Sequence, residues 1–202
     1  MCGRSSNAFA PARRFCRKWR SSRKSGSALK PAVALSKTGR IGVMATRSTL
    51  ASARFQALLA AQAGVAEFVL QPCDGLADAI ERGASTNDAT EIIAACARHA
   101  GAMGMFGTQP GQIDTLVLGC THYPFVSEHL RALVGADVML VENGEAVARQ
   151  TQRLLQTAAG GIGPAVTERG RISLITTGDA QTLKAAAAHW LALREPVGLL
   201  RI

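Results

Sequence analysis

The sequence has no apolar run long enough to cross a membrane. No window approaches the roughly 18 uncharged apolar residues that a spanning helix needs, so we expect no membrane-spanning segment. Phe, Trp and Tyr make up only 4% of the 202 residues, although hydrophobic residues as a whole make up 48%. The chain can therefore bury a sizeable core, which must consist mainly of Ala, Val, Leu and Ile.

Cysteine pairs with metal-site or redox spacing are also absent. The sequence contains five cysteines, and no two of them have Cys-x-x-Cys spacing. An odd number of cysteines without this spacing indicates neither a zinc site nor a disulfide framework. We therefore expect reduced thiols, no bound metal and a cytoplasmic location.

Acidic residues are missing from the first 30 positions, which hold nine of the 23 Lys and Arg residues. The other 14 basic residues balance the 14 acidic ones, so the net charge of +9 belongs to this end of the chain. Since the rest has no excess positive charge to attract phosphates, we do not expect nucleic-acid binding. Residues 1–28 have three open interpretations: a targeting peptide, a nucleic-acid-binding arm or, as we prefer, a misplaced or out-of-frame start.

From residue 29 onward, short apolar runs alternate with longer segments of helical period. This alternation predicts an α/β fold with a mostly parallel sheet and helices on both faces. We divide the chain into a basic tail at 1–28, an α/β domain at 29–170 and a C-terminal strand–helix segment at 171–202, with a Gly-rich linker at 160–164. The predicted strands are 41–46, 67–71, 115–119, 138–141 and 172–176, and the predicted helices are about 49–63, 74–82, 88–102, 125–133, 145–158 and 180–193.

Cys120 directly follows the most apolar predicted strand, where the chain turns into a helix with Pro124 in its first turn. Ligands of parallel sheets bind at the carboxyl ends of the strands. Unpaired N–H groups at a helix start favour anions and lower the pKa of a nearby thiol. The polar pair Thr121 and His122 is costly beside a buried strand unless it faces a cleft. The pattern therefore indicates a thiol base rather than a structural cysteine.

The stretch DTLVLGCTHYPF at 114–125 resembles the second catalytic-cysteine motif of the glutamate racemases. Residues 29–54, 71–81 and 173–179 resemble, in order, three further segments of that family. The resemblance covers the chain from about residue 28 onward. It implies cofactor-independent interconversion of L- and D-glutamate, which supplies D-glutamate for peptidoglycan synthesis and uses one cysteine on each face of the substrate.

By this resemblance, Cys120 is one of the two bases, and Thr121 and His122 contact the substrate. Glu81 matches a supporting carboxylate of the family, although a solvated glutamate at a helix end remains an equal alternative. The resemblance also suggests a homodimer for an intact protein. Two other functions stay open: a related aspartate or hydantoin racemase, and a non-catalytic remnant that only binds carboxylates.

Three motifs of the family's first domain do not occur in this sequence: an Asp-Ser pair, a Pro-Tyr-Gly segment and a Cys-Asn-Thr triplet with the other catalytic cysteine. The resemblance therefore implies an incomplete copy, with one full racemase-type domain and the C-terminal strand–helix part of a second. We expect no racemisation from a single thiol. We also expect the C-terminal segment, which in the family packs on the first domain, to expose apolar residues.

The remaining cysteines and histidines carry weaker signals. Cys73 follows a predicted strand and could approach the cleft, but the resemblance does not make it the second base. Cys96 lies on the apolar face of a predicted helix and is expected in the core. His99, His129 and His189 lie on predicted helices without a partnering motif, so we expect them to be solvated or to cap helix ends.

Overall fold

The structure is a computed structural model that describes residues 28–158 and 172–201. The described residues divide into two units, one formed by residues 28–142 with 172–201 and the other by residues 143–158. The predicted tail, apart from the buried Ala28, and the predicted Gly-rich linker lie outside the described residues. In the part of the chain that is described, no helix is both long and apolar enough to span a bilayer.

A four-stranded parallel sheet forms the centre of the larger unit. Its strands are β1 (Arg40–Ala45), β2 (Glu67–Pro72), β3 (Thr115–Leu118) and β4 (Met139–Glu142), and their order across the sheet is β2-β1-β3-β4. Met44 of β1 pairs with Gln71 of β2 and with Leu118 of β3, so these strands end at one edge of the sheet. The predicted parallel α/β architecture is confirmed.

The helices of the larger unit are α1 (Leu29–Leu35), α2 (Arg47–Ala51), α3 (Ala53–Ala60), α4 (Leu76–Thr86), α5 (Thr90–Gly101), α6 (Ser127–Val134) and α8 (Ala180–Leu191). The described part of the other unit is α7 (Gly144–Ala158), which confirms the helix predicted at 145–158. In α7 an ion pair joins Glu145 to Arg149 one turn later, at 2.8 Å.

The buried strands divide the core of the larger unit into two apolar clusters, because successive side chains point to opposite faces of a sheet. Leu116 and Leu118 of β3 belong to the cluster that also holds apolar residues of α4, α5 and α6. Val117 lies between them in sequence and packs in the second cluster with Ile41, Val43 and residues of α1. Helices therefore cover both faces of the sheet.

The helix predicted at 74–82 spans Leu76–Thr86 in the structure, and two further predicted helices are altered by local turns. The helix predicted at 49–63 is broken into α2 and α3 at Ser52, whose backbone is extended and whose hydroxyl accepts a hydrogen bond from the Phe55 N–H. The helix predicted at 125–133 is preceded by a 3-10 turn at Tyr123–Val126, and α6 begins only at Ser127. Local capping and turn chemistry thus override the longer apolar period in both places.

The C-terminal segment, residues 172–201, forms a separate two-stranded parallel sheet with α8 between its strands. β5 (Leu174–Thr176) pairs with β6 (Val197–Leu199), and β6 was not predicted. Apolar side chains remain exposed on this segment, as expected from the sequence: Ile172, Ile175, Leu191, Leu199 and Leu200. The strands of this segment are therefore far more exposed than β1 and β3 of the central sheet, which are almost wholly buried.

Candidate active site

Three loops meet at the carboxyl edge of the central sheet, as the parallel register requires. Thr46 follows β1, Cys73 follows β2, and Cys120 lies two residues beyond the end of β3. Because ligands of parallel α/β proteins bind at this edge, it is the candidate active site.

Gly119 sets how closely the end of β3 approaches β1. Its N–H donates a hydrogen bond to the Met44 carbonyl at 2.8 Å, and a Cβ at this position would lie only 2.9 Å from the Ala45 Cβ. No side chain fits in that space, so glycine is required there. Cys120 is consequently the first residue after β3 whose side chain has room at the edge of the sheet.

The structure brings three of the four predicted site residues into one hydrogen-bonded chain. The Cys120 Sγ lies 3.7 Å from His122 Nδ1, and His122 Nε2 lies 2.8 Å from the Glu81 Oε1. Cys120 and His122 are half-buried, and the Glu81 side chain is 54% exposed. The fourth residue, Thr121, is exposed beside them.

The Glu81 contact determines which imidazole nitrogen of His122 carries the proton. An ionised carboxylate can only accept, so Nε2–H donates to Glu81, and Nδ1 of the neutral ring is left to accept from the Cys120 S–H. Such an imidazole can take the thiol proton to give a thiolate, and Glu81 then stabilises the imidazolium. The arrangement is suited to moving a proton at the Cys120 sulfur.

Tyr123 fixes the turn that carries Cys120 and His122. Its side chain is fully buried, its N–H donates to the Cys120 carbonyl at 3.3 Å, and its hydroxyl donates to the Cys73 carbonyl at 3.4 Å. Burial raises the pKa of Tyr123, so the phenol stays protonated and remains a donor. Tyr123 therefore ties the loop after β3 to the loop after β2.

The other described cysteines are poor candidates for a second base. Cys73 is 2% exposed, its Sγ lies 3.4 Å from the Gln71 carbonyl, and burial raises its pKa to about 12. Cys96 is fully buried, as predicted, and burial raises its pKa to about 11. Both therefore stay protonated at neutral pH.

His99 was expected to be solvated or to cap a helix, and this prediction was wrong. It is 6% exposed, with Nδ1 3.3 Å from Gln71 Nε2 and Nε2 3.2 Å from the Asp74 carbonyl. Burial lowers the pKa of His99, which favours the neutral ring that these partners require. The sequence carried the signal, because His99 lies seven and three residues after Ile92 and Cys96, on the same buried helix face.

An ion pair between the first residue of α2 and the loop after β2 was also missed. Arg47, directly after the loop residue Thr46, contacts the Asp74 carboxylate at 2.5 Å. Both residues are charged and lie two positions beyond the end of a strand, so their place at the shared edge of a parallel sheet was the available signal. In residues 28–158 and 172–201, no three His, Cys, Asp or Glu side chains are grouped to hold a metal ion.

The fold and the site together define a parallel α/β protein with a thiol–imidazole–carboxylate chain at the end of a central strand. The family model for Asp/Glu/Hydantoin racemase matches residues 26–151, a stretch that includes the whole central sheet. This chain belongs to the Asp/Glu/hydantoin racemase family.

Two curated relatives named glutamate racemase illustrate the match. The protein from Herpetosiphon aurantiacus is 42% identical over 167 residues, which are 83% of this chain and 59% of the relative. The protein from Pseudomonas paraeruginosa is 46% identical over 132 residues, or 65% of this chain and 47% of the relative. The chain thus spans about half to three-fifths of the length of these relatives.

Solved glutamate racemases share the fold. The enzyme from Bacillus anthracis has a TM-score of 0.68 at 23% identity, covering 87% of this chain and 61% of its own. The Escherichia coli enzyme, crystallised with L-glutamate and the activator UDP-MurNAc-ala, has a TM-score of 0.68 at 24% identity, covering 88% and 64%. At these identities the likeness concerns the fold alone.

Proposed function

We propose that this chain supplies one of the two proton-transfer faces of a glutamate racemase, with Cys120 as its base. The observation that carries the proposal is the contact chain from Cys120 through His122 to Glu81 at the end of β3. The name glutamate racemase, shared by the curated relatives, favours glutamate over aspartate or a hydantoin. The proposed role is cytoplasmic supply of D-glutamate for peptidoglycan synthesis, without a cofactor.

The proposed reaction inverts the α-carbon of glutamate by proton transfer alone. His122 takes the Cys120 proton, and the Cys120 thiolate then removes the α-proton of the substrate. A second thiol on the opposite face delivers a proton to the flattened carbanion, and the reverse reaction exchanges the roles of the two thiols. Glu81 holds the imidazole and stabilises its charge, and Thr121 contacts the substrate.

The second thiol is the part of this reaction that the described residues do not supply. The sequence contains no Cys-Asn-Thr triplet, and burial keeps the Cys73 and Cys96 thiols protonated. We therefore assign the second thiol to the part of the relatives that this chain does not match. In this proposal, residues 29–170 act as a racemase second domain, and residues 171–202 pack on the first domain. Homodimer formation belongs to the same proposal.

The test uses a fusion protein. The part of the Herpetosiphon relative that this chain does not match is joined to this chain directly before Ala28. The readout is D-glutamate formed from L-glutamate, followed by circular dichroism. We expect the fusion to racemise glutamate and the 202-residue chain alone to be inactive. Cys120→Ala should lower the rate of the fusion about a thousandfold or more, since it removes one of two obligatory bases.

The matched control is Cys96→Ala, which removes a core thiol and should leave racemisation in place. A Cys120→Ala fusion that forms D-glutamate at the unaltered rate would contradict the proposal. A fusion that binds glutamate without racemising it would favour the alternative of a carboxylate-binding module. Faster turnover of aspartate or a hydantoin than of glutamate would favour the related racemases.

A further inference from the structure

A cavity of about 460 Å³ lies next to the candidate active site, between α8, β5 and the turn that follows Cys120. Glu81 and His122 line this cavity, whereas Cys120 does not. The proton-transfer chain therefore meets the cavity only at its imidazole–carboxylate end. The volume falls within the range of small-molecule sites, about 300 to 1,000 Å³.

One wall of the cavity is aromatic. The rings of Phe125 and Trp190 are stacked, with centroids 5.2 Å apart and planes inclined by 21°. Leu183 and Ala187 of α8 continue this wall with aliphatic surface. Such a surface accommodates a flat apolar body, because aromatic rings stack favourably in this offset arrangement.

The polar groups of the cavity favour a cation. Glu81 and Asp179 contribute carboxylates, and no Lys or Arg is among the described residues that line the cavity. Hydrogen bonds from the side chain and N–H of Thr182 lower the pKa of Asp179, so this carboxylate stays ionised at neutral pH. Among the described lining residues, the side chain that can carry positive charge is His122, and it already bonds Glu81.

We propose that this cavity binds a flat organic cation, an aromatic ring carrying an amidine or a protonated amine, whose charged group bonds Glu81 in competition with His122. An amidinium matches a carboxylate with two parallel N–H···O bonds, as a guanidinium does. Bound there, the cation withdraws Glu81 from His122 and slows proton transfer at Cys120. This inhibitory consequence rests on the proposed function, whereas the binding itself does not.

The binding test uses benzamidine and its neutral analogue benzamide as probes of the same shape. Trp19→Phe leaves Trp190 as the remaining tryptophan of the two in the sequence, so intrinsic fluorescence then reports on the cavity wall. We expect a saturable change in fluorescence with benzamidine. Benzamide lacks the charge, so its affinity should be weaker by a factor of about ten or more. Equal affinities, or no saturable change with benzamidine, would overturn the proposal.

Two variants on the Trp19→Phe background locate the site. Glu81→Gln should remove the preference for benzamidine, and the control Glu91→Gln, at an exposed ion pair with Arg82, should retain it. Ala186→Leu narrows the cavity and should weaken both probes. A preference that survives Glu81→Gln, or probe affinities that Ala186→Leu leaves unchanged, would place the site elsewhere and refute the assignment.

These measurements contain no substrate, so their outcome is independent of the proposed function. Inhibition of the racemising fusion by benzamidine is a separate arm that tests the consequence for Cys120. Binding without inhibition would overturn the competition for Glu81 and leave the proposed function intact. A fusion that does not racemise would count against the proposed function and leave the binding result standing.

Discussion

The central-sheet region, residues 28–142, and the C-terminal segment, residues 172–201, both contain parallel strands, but they bury them very differently. Ile41 of β1 is 0% exposed, whereas Ile175 of β5 is 62% exposed and Leu199 of β6 is 58% exposed. β1 has a partner strand on each side and apolar clusters on both faces, while among the described residues β5 and β6 pair only with each other. Residues 28–142 therefore enclose their own core, and the C-terminal segment leaves its apolar strands uncovered.

The largest expected difference between the two regions concerns a matched pair of strand leucines. Leu116 of β3 is fully buried, and Leu199 of β6 is mostly exposed. Leu116→Ala should lower the free energy of unfolding by about 3 to 4 kcal/mol, because it leaves a cavity in the core. Leu199→Ala should lower it by less than about 1 kcal/mol. Urea titration measures both values, and equal losses would abolish the contrast between the regions.

A matched pair of aspartates gives a smaller contrast. Asp114 is 4% exposed and accepts hydrogen bonds from the Ser36 hydroxyl and from the N–H groups of Lys37 and Thr38. Asp114→Asn should cost about 2 to 3 kcal/mol, since it leaves partly buried donors without their charged acceptor. Asp179 caps α8 from an exposed position, so Asp179→Asn should cost about 1 kcal/mol or less, because asparagine also caps helices.

Acid titration tests the same Asp114 contacts. Burial alone would raise the pKa of Asp114, but the hydrogen bonds from Ser36, Thr38 and Lys37 outweigh burial and hold the pKa below its usual value. A lowered pKa in the folded state stabilises the protein above the unfolded-state pKa of about 3.9, and this stability is lost as the pH falls through the folded-state value. The stability difference between wild type and Asp114→Asn should therefore shrink below about pH 4. A difference that does not change with pH would refute this account.

The smallest expected change in stability is at an exposed strand position of the C-terminal segment. Ile175→Thr should change the free energy of unfolding by less than about 0.5 kcal/mol, yet raise the concentration at which light scattering detects aggregation. The control is Ile93→Thr in the central-sheet region, where Ile93 is 48% exposed on α5. Equal gains from both substitutions would mean that the C-terminal segment is no special source of aggregation.

The strands of the central sheet could be predicted because each is an apolar run between turn residues, and burial on both faces produces that pattern. β6 has only three residues and shows no period of its own. The break at Ser52 was missed because serine is tolerated inside helices as well as at their N-caps. Short strands and helix breaks of this kind depend on local hydrogen bonds, which the spacing of apolar residues does not reveal.

The candidate site was predictable where it is continuous in sequence. Cys120, Thr121 and His122 follow one strand, but the contact between His122 and Glu81 joins residues 41 positions apart. The resemblance to a family suggested Glu81 only as a supporting carboxylate, not its contact with His122. The cavity that Glu81 shares with Asp179 depends on how α8 and β5 pack, which no local pattern encodes. His99 differs, because its helical spacing pointed to burial and was overlooked.

The central claim is that Cys120 serves one face of the α-carbon, and α-proton exchange in deuterated water tests it most directly. Proton NMR would follow L-glutamate and D-glutamate in separate samples. Each enantiomer is incubated with the fusion protein described above and with its Cys120→Ala variant. We predict that the unaltered fusion deuterates both enantiomers and that Cys120→Ala no longer deuterates the one whose α-proton faces residue 120. Deuteration of both enantiomers at unaltered rates by Cys120→Ala would contradict the claim.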